Sequence, residues 1–307
     1  MPMRTTTAII LLAAALAPGP VHAWDDIGHR VVARIAWREL RPETRARVVA
    51  LLRAAPEDAG LHALFPADDR DLEAREREFF ARAATWADAI RDRELEANRY
   101  HRPTWHYVNF FWSRPAPDAP AELLDWPLVG ELLAELERIR VSLGAPDRPA
   151  AERAVDLAWL LHLVGDLHQP LHCTARVTPQ EPEGDRGGNL FGLGEGDNLH
   201  YFWDSILTRR FDRHEGEADE ALVDRIADTI VQAHPRSSLA AELALRDVRA
   251  WARESVDVVL ATAYPATLQR GVPPDAPYTD AAYAAAERRI ALAGYRLADL
   301  LEELLGS

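Results

Sequence analysis

The sequence predicts an all-α protein. Apolar residues recur at helical spacing in nine segments, which proline, glycine and acidic residues separate. Only one short aromatic stretch, Trp105 to Trp112, has an extended pattern. A chain of 307 residues can bury one large core, so we expect a single domain.

The first 23 residues have the features of a secretory signal. Arg4 precedes an apolar run from Ala8 to Ala17, and Val21-His22-Ala23 forms a small-residue cleavage site. That run is too short to span a bilayer, and we find no other apolar run of spanning length. We therefore expect a secreted or periplasmic protein without a membrane span, whose mature domain covers residues 24–307 and begins at Trp24.

Helical periodicity and turn residues define the predicted elements in chain order. Pro42 suits the first turn of a helix, and Gln169-Pro170 suits the end of one. The predicted loops are Pro56–Asp71, Arg114–Pro127 and Cys173–Asp197. The predicted helices are about Gly28–Leu40, Pro42–Ala54, Arg75–Arg91, Leu128–Leu143, Ala150–Leu167, Leu199–Phe211, Ala218–Ala233, Leu239–Ala263 and Ala281–Leu305.

The charge balance excludes one class of partner. The chain has 35 basic and 49 acidic residues, a formal charge of −14, and contains no lysine. A protein that grips duplex DNA along its phosphates needs a positive surface, so we expect no stable duplex binding. An anionic substrate would need local positive charge from metal ions and a few arginines.

The predicted helix Ala150–Leu167 carries an unusual apolar face. Val155, Trp159, His162 and Asp166 lie three or four residues apart, so an imidazole and a carboxylate continue an apolar stripe inward. A buried carboxylate is costly unless it is paired or binds a metal. The turn that follows can bring His172 towards the same point. Taken alone, this pattern also fits a capped helix with one buried His–Asp pair.

A second copy of the pattern favours a metal site. His200 and Asp204 are again four residues apart, and Leu207 and Phe211 continue their face. Two helices that each present an inward His-x-x-x-Asp can close around metal, and zinc accepts imidazole and carboxylate ligands.

The order of several motifs resembles a known family. These motifs are Trp24, Gly28-His29, Trp86-Ala87-Asp88, Trp105-His106-Tyr107, the run His162 to His172, and Asp197-Asn198-Leu199-His200 with Asp204. Over essentially the whole mature chain they resemble the zinc-dependent single-strand nucleases of fungi, plants and bacteria. That family shares a mostly helical fold with zinc-dependent phospholipase C.

The resemblance implies a cofactor of three zinc ions, with Asp166 bridging two of them. The first ion would bind Asp88, His106 and His162, the second His172, His200 and Asp204, and the third His29, Asp166, and the amine and carbonyl oxygen of Trp24. His168 lies inside the motif but matches no ligand of the family, and we expect His101 to be solvated.

The resemblance also implies catalytic roles for Asp88, Arg91 and Asp166. Arg91 would contact the substrate phosphate, Tyr107 would stack on a base, and Asn189 matches a Gly-Gly-Asn loop near the site. Asn109 stands where the fungal enzymes have an aspartate that reads a base edge. Because an amide both donates and accepts whereas a carboxylate only accepts, base preference does not carry over.

The implied activity is hydrolysis of RNA and single-stranded DNA to 5′-phosphate products, with 3′-nucleotidase activity as a further expectation. The substrate would be a single-stranded nucleic acid or a nucleotide. Two alternatives stay open at this point. One is a phospholipase C on the same scaffold, although Asp204 replaces the glutamate usual in that branch. The other is a non-enzymatic zinc-binding protein of the periplasm.

Overall fold

The helix that carries His162 and Asp166 runs through the interior of the protein. In the computed structural model, which describes residues 24–116, 119–194 and 196–306, every residue from Asp156 to His168 is buried. The signal predicted for residues 1–23 lies outside this range. No helix in the described part of the chain is long and apolar enough to cross a membrane. The mostly helical fold predicted from the sequence is confirmed.

The described residues form twelve α-helices and five short strands. The helices are α1 (Asp26–Glu39), α2 (Pro42–Leu52), α3 (Leu72–Ala83), α4 (Trp86–Ala89), α5 (Leu132–Leu143), α6 (Ala150–His168), α7 (Leu199–Asp204), α8 (Ile206–Arg210), α9 (Asp219–Ala233), α10 (Ala240–Leu243), α11 (Val248–Val258) and α12 (Ala276–Leu305). The strands are β1 (Phe110–Ser113), β2 (Glu122–Leu123), β3 (Thr174–Arg176), β4 (Gly192–Gly194) and β5 (Asp197–Asn198).

Helix packing places α6 at the centre. It contacts α1, α2, α5, α11 and α12, and α1 packs along α12. A small sheet of order β2-β1-β3 caps one side of this core, with β1 parallel to β3 and antiparallel to β2. The segment Cys173–Asp197, predicted as a loop, contributes β3 and β4, and β4 pairs with β5.

Two predicted helices are each broken near the site, so their predicted continuity is wrong. The predicted helix Arg75–Arg91 ends at Ala83 and resumes at Trp86. The break leaves the Ala84 carbonyl to bond His162 Nδ1, 2.8 Å away. The predicted helix Leu199–Phe211 breaks at Ser205, and the carbonyl of Asp204 accepts a hydrogen bond from the Asp25 amide at 2.9 Å.

The C-terminal helices also differ from the prediction. The predicted helix Leu239–Ala263 is interrupted after α10, and Asp247 begins α11 by accepting a hydrogen bond from the Arg249 amide. The same segment ends in a π-helical turn, Val259–Ala263. The last helix starts at Ala276, five residues before the predicted start, because the Asp275 carboxylate caps its first turn.

Candidate metal centre and cleft

Helix α6 presents a fully buried imidazole and carboxylate one turn apart. His162 Nε2 lies 3.3 Å from Asp166 Oδ2 and 3.6 Å from Asp88 Oδ1. His106, at the end of a 3-10 turn before β1, places Nδ1 3.0 Å from Asp166 Oδ2. Four predicted ligands from three separate segments therefore meet at one point.

Helix α1 crosses α6 at Gly165 and brings His29 to the same carboxylate. A Cβ at Gly165 would lie 2.7 Å from His29 Nδ1, so the glycine makes room for the imidazole. His29 Nε2 is 3.3 Å from Asp166 Oδ1, and its ring stacks on His162 at 3.9 Å. Trp24 is fully buried against Gly28 and Gly165.

The second His–Asp pair meets His172 as the sequence pattern suggested. Asp204 lies 3.5 Å from His200 and 3.9 Å from His172, measured from carboxylate oxygen to Nε2. The Gln169 side chain donates to Asp204 Oδ1 at 2.5 Å and accepts from the Leu171 amide. Gln169 therefore both shapes the turn after α6 and orients the carboxylate.

Backbone carbonyls fix the orientation of three imidazoles. Nδ1 of His162, His172 and His200 faces the carbonyl oxygens of Ala84, His106 and Gly187 at 2.8, 2.6 and 2.7 Å. With the Nδ1–H donating, each Nε2 keeps a lone pair for a ligand. Gly187 has a φ of +62°, and a Cβ there would overlap the Leu171 carbonyl, so this carbonyl position requires glycine.

Several buried polar atoms here have unused bonding capacity. Nε2 of His106, His172 and His200 and Oδ2 of Asp204 have no hydrogen-bond partner among the described residues. Such burial is costly, which a bound cation would relieve. The residues offer three sets of possible ligand atoms, and within each set all atoms lie within 4.8 Å of one another. The sets are His29, His162 and Asp166; Asp88, His106 and His162; and His172, His200 and Asp204. This donor set of imidazole and carboxylate fits zinc.

The protonation of these groups is strongly perturbed. Burial alone would lower the pKa of His162, but the Asp166 and Asp88 carboxylates outweigh it and raise that pKa to about 9. Burial lowers the pKa of His106 to about 4 and raises the pKa of Asp204 well above its usual range. Without a metal, the Asp166 carboxylate is balanced by protonated His162, and the Asp204 carboxyl group favours its neutral form.

A cleft of about 910 Å³ opens over these groups. One wall is the extended segment around β1, where Tyr107, Asn109 and Phe111 face the cleft. The intervening residues Val108 and Phe110 face the core, as the period of two in an extended chain requires. The prediction of an extended segment is correct for its second half, although it begins with the 3-10 turn that carries His106.

The other predicted substrate residues also reach the cleft. Arg91 lines it and places Nη2 2.6 Å from Asp88 Oδ1. Asn189 lines it too, and its side-chain amide donates to the Arg186 carbonyl at 2.8 Å. The structure therefore places every predicted site residue either at the buried groups or in the cleft above them.

The S1/P1 nuclease family model matches residues 24–306 of this sequence. The chain belongs to the S1/P1 nuclease family. Nuclease P1 of Penicillium citrinum and nuclease PA3 of a Penicillium species are each 23% identical to it, over 92% of this chain and 98% of theirs. Nuclease S1 of Aspergillus oryzae is 24% identical over 61% of this chain, a match that spans 55% of the relative. Endonuclease 2 of Arabidopsis thaliana is 24% identical over 74% of this chain, a match that covers 71% of the relative.

Membership in this family supports a nuclease and hence a hydrolase, as the motif resemblance indicated. The family is generally metal-dependent, which agrees with the three His and Asp groups. All predicted ligands lie within the matched range. The matched relatives are named as nucleases, so nucleic acid is the substrate class that they indicate.

Sequence reasoning missed several residues that line the cleft. Trp126 and Arg186 lie in the predicted loops Arg114–Pro127 and Cys173–Asp197, and the sequence pattern singles out neither of them nor Phe111. The expectation that His101 is solvated is wrong, because it is half-buried in the cleft wall and its Nδ1 has no partner among the described residues. Arg186 directly precedes the Gly-Gly-Asn segment, and this adjacency was the available signal.

Proposed function

We propose that this protein is an exported, zinc-dependent phosphodiesterase that hydrolyses RNA and single-stranded DNA to 5′-phosphate products and also acts on 3′-nucleotides. The observation that carries the proposal is the set of buried imidazole and carboxylate groups with unused bonding capacity on the floor of an open cleft. Membership in a nuclease family gives the substrate class.

The ligand assignment that we propose follows the family pattern and uses three zinc ions. Asp88, His106 and His162 would bind one ion, His172, His200 and Asp204 a second, and His29, Asp166 and the amine and carbonyl oxygen of Trp24 a third. The closeness of both Asp166 oxygens to imidazoles from different segments supports its bridging role. Bound zinc lowers the pKa of water to about 7 and stabilises negative charge on a phosphate.

Protein side chains supply the remaining contacts. Arg91 is oriented by its ion pair with Asp88 and lines the cleft, so its free donors can stabilise charge on the phosphoryl oxygens. Tyr107 offers a ring to a base, and the amides of Asn109 and Asn189 offer both donors and acceptors to base edges. Asn109 in place of aspartate broadens the set of base edges that can bind.

Preference for single strands follows from this arrangement. A base must leave its stack to lie on Tyr107, and a duplex resists this by a few kcal/mol. Stacking on an aromatic ring is worth about 1–3 kcal/mol per base and tolerates any base. With a formal charge of −14, the protein as a whole repels the phosphate backbone and gives no general electrostatic gain against the cost of opening a duplex.

A substrate panel tests the proposal. Protein beginning at Trp24 is assayed on RNA, single-stranded DNA, duplex DNA, a 3′-mononucleotide and phosphatidylcholine, and the product ends are identified. We expect turnover of the first two to 5′-phosphates, loss of turnover on chelation and recovery with zinc. Undiminished activity after exhaustive chelation would exclude the metal mechanism. Turnover of phosphatidylcholine alone would favour a phospholipase, and zinc binding without any turnover would favour a zinc-binding protein.

The terminal chelate has its own test. A free α-amine has a pKa near 7.7–8.0 and can bind zinc near neutrality, whereas an amide nitrogen cannot. The hydrogen bond from the Asp25 amide to the Asp204 carbonyl and the burial of Trp24 against Gly28 and Gly165 support this position of the N-terminus. Protein with one extra residue before Trp24 should fall from three zinc ions towards two and lose most activity. Three ions and full turnover would reject the assignment.

A further inference from the structure

One end of the cleft has an aromatic surface that the proposed reaction does not use. Trp126 is 44% exposed, lines the cleft and packs on Phe111 with ring centroids 5.2 Å apart and planes tilted by 50°. Val129, 46% exposed, lines the same wall. Large apolar side chains clustered in a cleft commonly mark a binding surface.

The backbone holds Trp126 in this position. The Leu124 amide donates to the Phe111 carbonyl at 2.9 Å, and the Asn109 amide donates to the Val129 carbonyl at 2.7 Å. Between the pairs Asn109–Val129 and Trp112–Leu123, β1 has two residues, whereas the opposing segment has five. Residues 125–128 of that segment therefore bulge out of the pairing. Because this bulge is hydrogen-bonded at both ends, Trp126 is supported by the sheet.

A cation lines the same cleft. Gly184 packs against the ring of Phe111, since a Cβ there would be 3.2 Å from Phe111 Cε1. Two residues later, Arg186 lines the cleft in a left-handed conformation with φ of 56°. Among the described residues, no carboxylate lies within 4.0 Å of its guanidinium. A strained, unpaired arginine in so acidic a protein suits an anionic ligand.

We propose that Trp126, Phe111 and Arg186 form a second nucleotide subsite, in which a base stacks on Trp126 and a backbone phosphate binds Arg186. This rests on the proposed nuclease function. Four residues of extended chain separate Tyr107 from Phe111, about 13 Å at 3.3 Å per residue. The second base therefore belongs to a different nucleotide from the one on Tyr107. An aromatic face and a cation that line one cleft match the alternation of base and phosphate along a strand, whereas an acyl chain has no charge for Arg186.

The first test compares substrates of different length. Trp126→Ala should raise KM for a single-stranded hexanucleotide about tenfold, the effect of losing one stacked base, and leave KM for a 3′-mononucleotide unchanged. Trp126→Phe should restore most of the loss. Tyr107→Ala should raise KM for both substrates. Leu245→Ala, equally exposed at 45% but outside the cleft, is the matched control.

The second test measures salt dependence. Each phosphate contact of a single strand contributes about 0.7 to the slope of log affinity against log salt. Arg186→Gln should reduce the slope for the hexanucleotide by about that amount. Arg249 is an exposed arginine over Phe110, on the opposite face of β1, so Arg249→Gln should leave the slope unchanged. Glu183→Gln should strengthen hexanucleotide binding, because Glu183 lines the cleft in the same loop as Arg186.

The outcomes separate this proposal from the function on which it rests. If the wild type fails to cleave the hexanucleotide, the proposed function is wrong. If it cleaves the hexanucleotide but Trp126→Ala changes KM equally for both substrates, or for neither, the subsite is wrong and the nuclease function stands. Impaired hydrolysis of phosphatidylcholine with unchanged hexanucleotide KM would assign this wall to acyl chains instead. Unchanged zinc content and melting temperature verify that each variant is folded.

Discussion

Helix α6 carries buried polar groups on two opposite faces, and the two faces differ in how those groups are satisfied. His162 and Asp166 face the cleft floor, where the Nε2 atoms of neighbouring imidazoles have no partner within the described part of the chain. His168, two residues on, faces α11 and α12, where its Nδ1 bonds the Val164 carbonyl at 2.8 Å and its Nε2 accepts from Arg296 at 2.9 Å.

On the face that carries His168, the buried polar groups are joined to one another by hydrogen bonds. Both oxygens of Glu254 accept hydrogen bonds from Arg296, and one also accepts from Arg289, at 2.6–2.7 Å. Ser255 and the Trp251 carbonyl accept further bonds from Arg289. Two histidines in one sequence motif therefore have different roles. His168, with one ring nitrogen bonded to a carbonyl and the other to an arginine, is structural, whereas His172 in the same motif has an Nε2 without a partner among the described residues and is available for a ligand.

Asp166→Asn should give the largest effect. The amide removes the charge of a proposed bridging ligand, and loss of a group outside the ligand set alone costs about 10–100-fold in metal affinity or activity. We expect more than about 100-fold loss of turnover, together with loss of bound zinc. Zinc content per folded protein and kcat on single-stranded DNA measure this. Equal losses in His168→Gln would show that the two faces do not differ as described.

Glu254→Gln should have the largest effect on the other face, in stability rather than chemistry. It leaves Arg289 and Arg296, both nearly fully buried, without their carboxylate. Breaking a buried ion pair typically costs about 3–5 kcal/mol. Denaturant unfolding measures the loss, and zinc bound per folded protein should stay at the wild-type level. Loss of zinc in this variant would link the network to the metal site.

His168→Ala should cost less than Glu254→Gln. The change removes one acceptor from a charged donor, worth about 1.5–3 kcal/mol, and Arg296 keeps its bonds to Glu254. His168→Gln can still accept from Arg296 and should recover part of the loss. The free energy of unfolding of both variants is the measurement. If glutamine were no better than alanine, the bond to Arg296 would not be the source of the stability.

The smallest expected effect is a change in pH dependence. Burial and the nearby Arg289 and Arg296 hold the pKa of His168 well below its usual range, so it stays neutral in the folded protein. The unfolded chain binds the proton near pH 6.5, and stability is therefore lost as pH falls below that value, by at most about 1.4 kcal/mol per unit. In His168→Gln the slope of unfolding free energy against pH should be shallower by the contribution of one proton, at most about 1.4 kcal/mol per pH unit. An identical slope would show that His168 titrates normally.

The ligand-bearing stripes were predictable because they depend on local geometry. Residues four apart on a helix share a face, so His162 with Asp166 and His200 with Asp204 could be paired from spacing alone. The family resemblance added Asp88, which spacing could not connect to α6.

The helix breaks were not predictable from local pattern. At Ala84 the helix gives up a backbone bond, and the freed carbonyl orients His162, 78 residues away. At Ser205 the break leaves the Asp204 carbonyl to accept a hydrogen bond from Asp25, the residue after the proposed N-terminus. Similarly, Trp126 reaches the cleft only because Leu124 pairs with Phe111. In each case the partner that makes the irregularity favourable is distant in sequence, so a window of neighbouring residues contains no trace of it.

The burial of Trp24 has a practical chemical consequence. Because the sequence contains no lysine, a protein that starts at Trp24 carries one primary amine, its own terminus. Amine-reactive acylating reagents would then have a single target in the whole molecule. With the Trp24 side chain buried and the Asp25 amide hydrogen-bonded to the Asp204 carbonyl, we expect that target to lie close to the proposed metal ligands rather than in solvent. One acylation, followed by intact mass, would count the molecules whose terminus is uncoordinated.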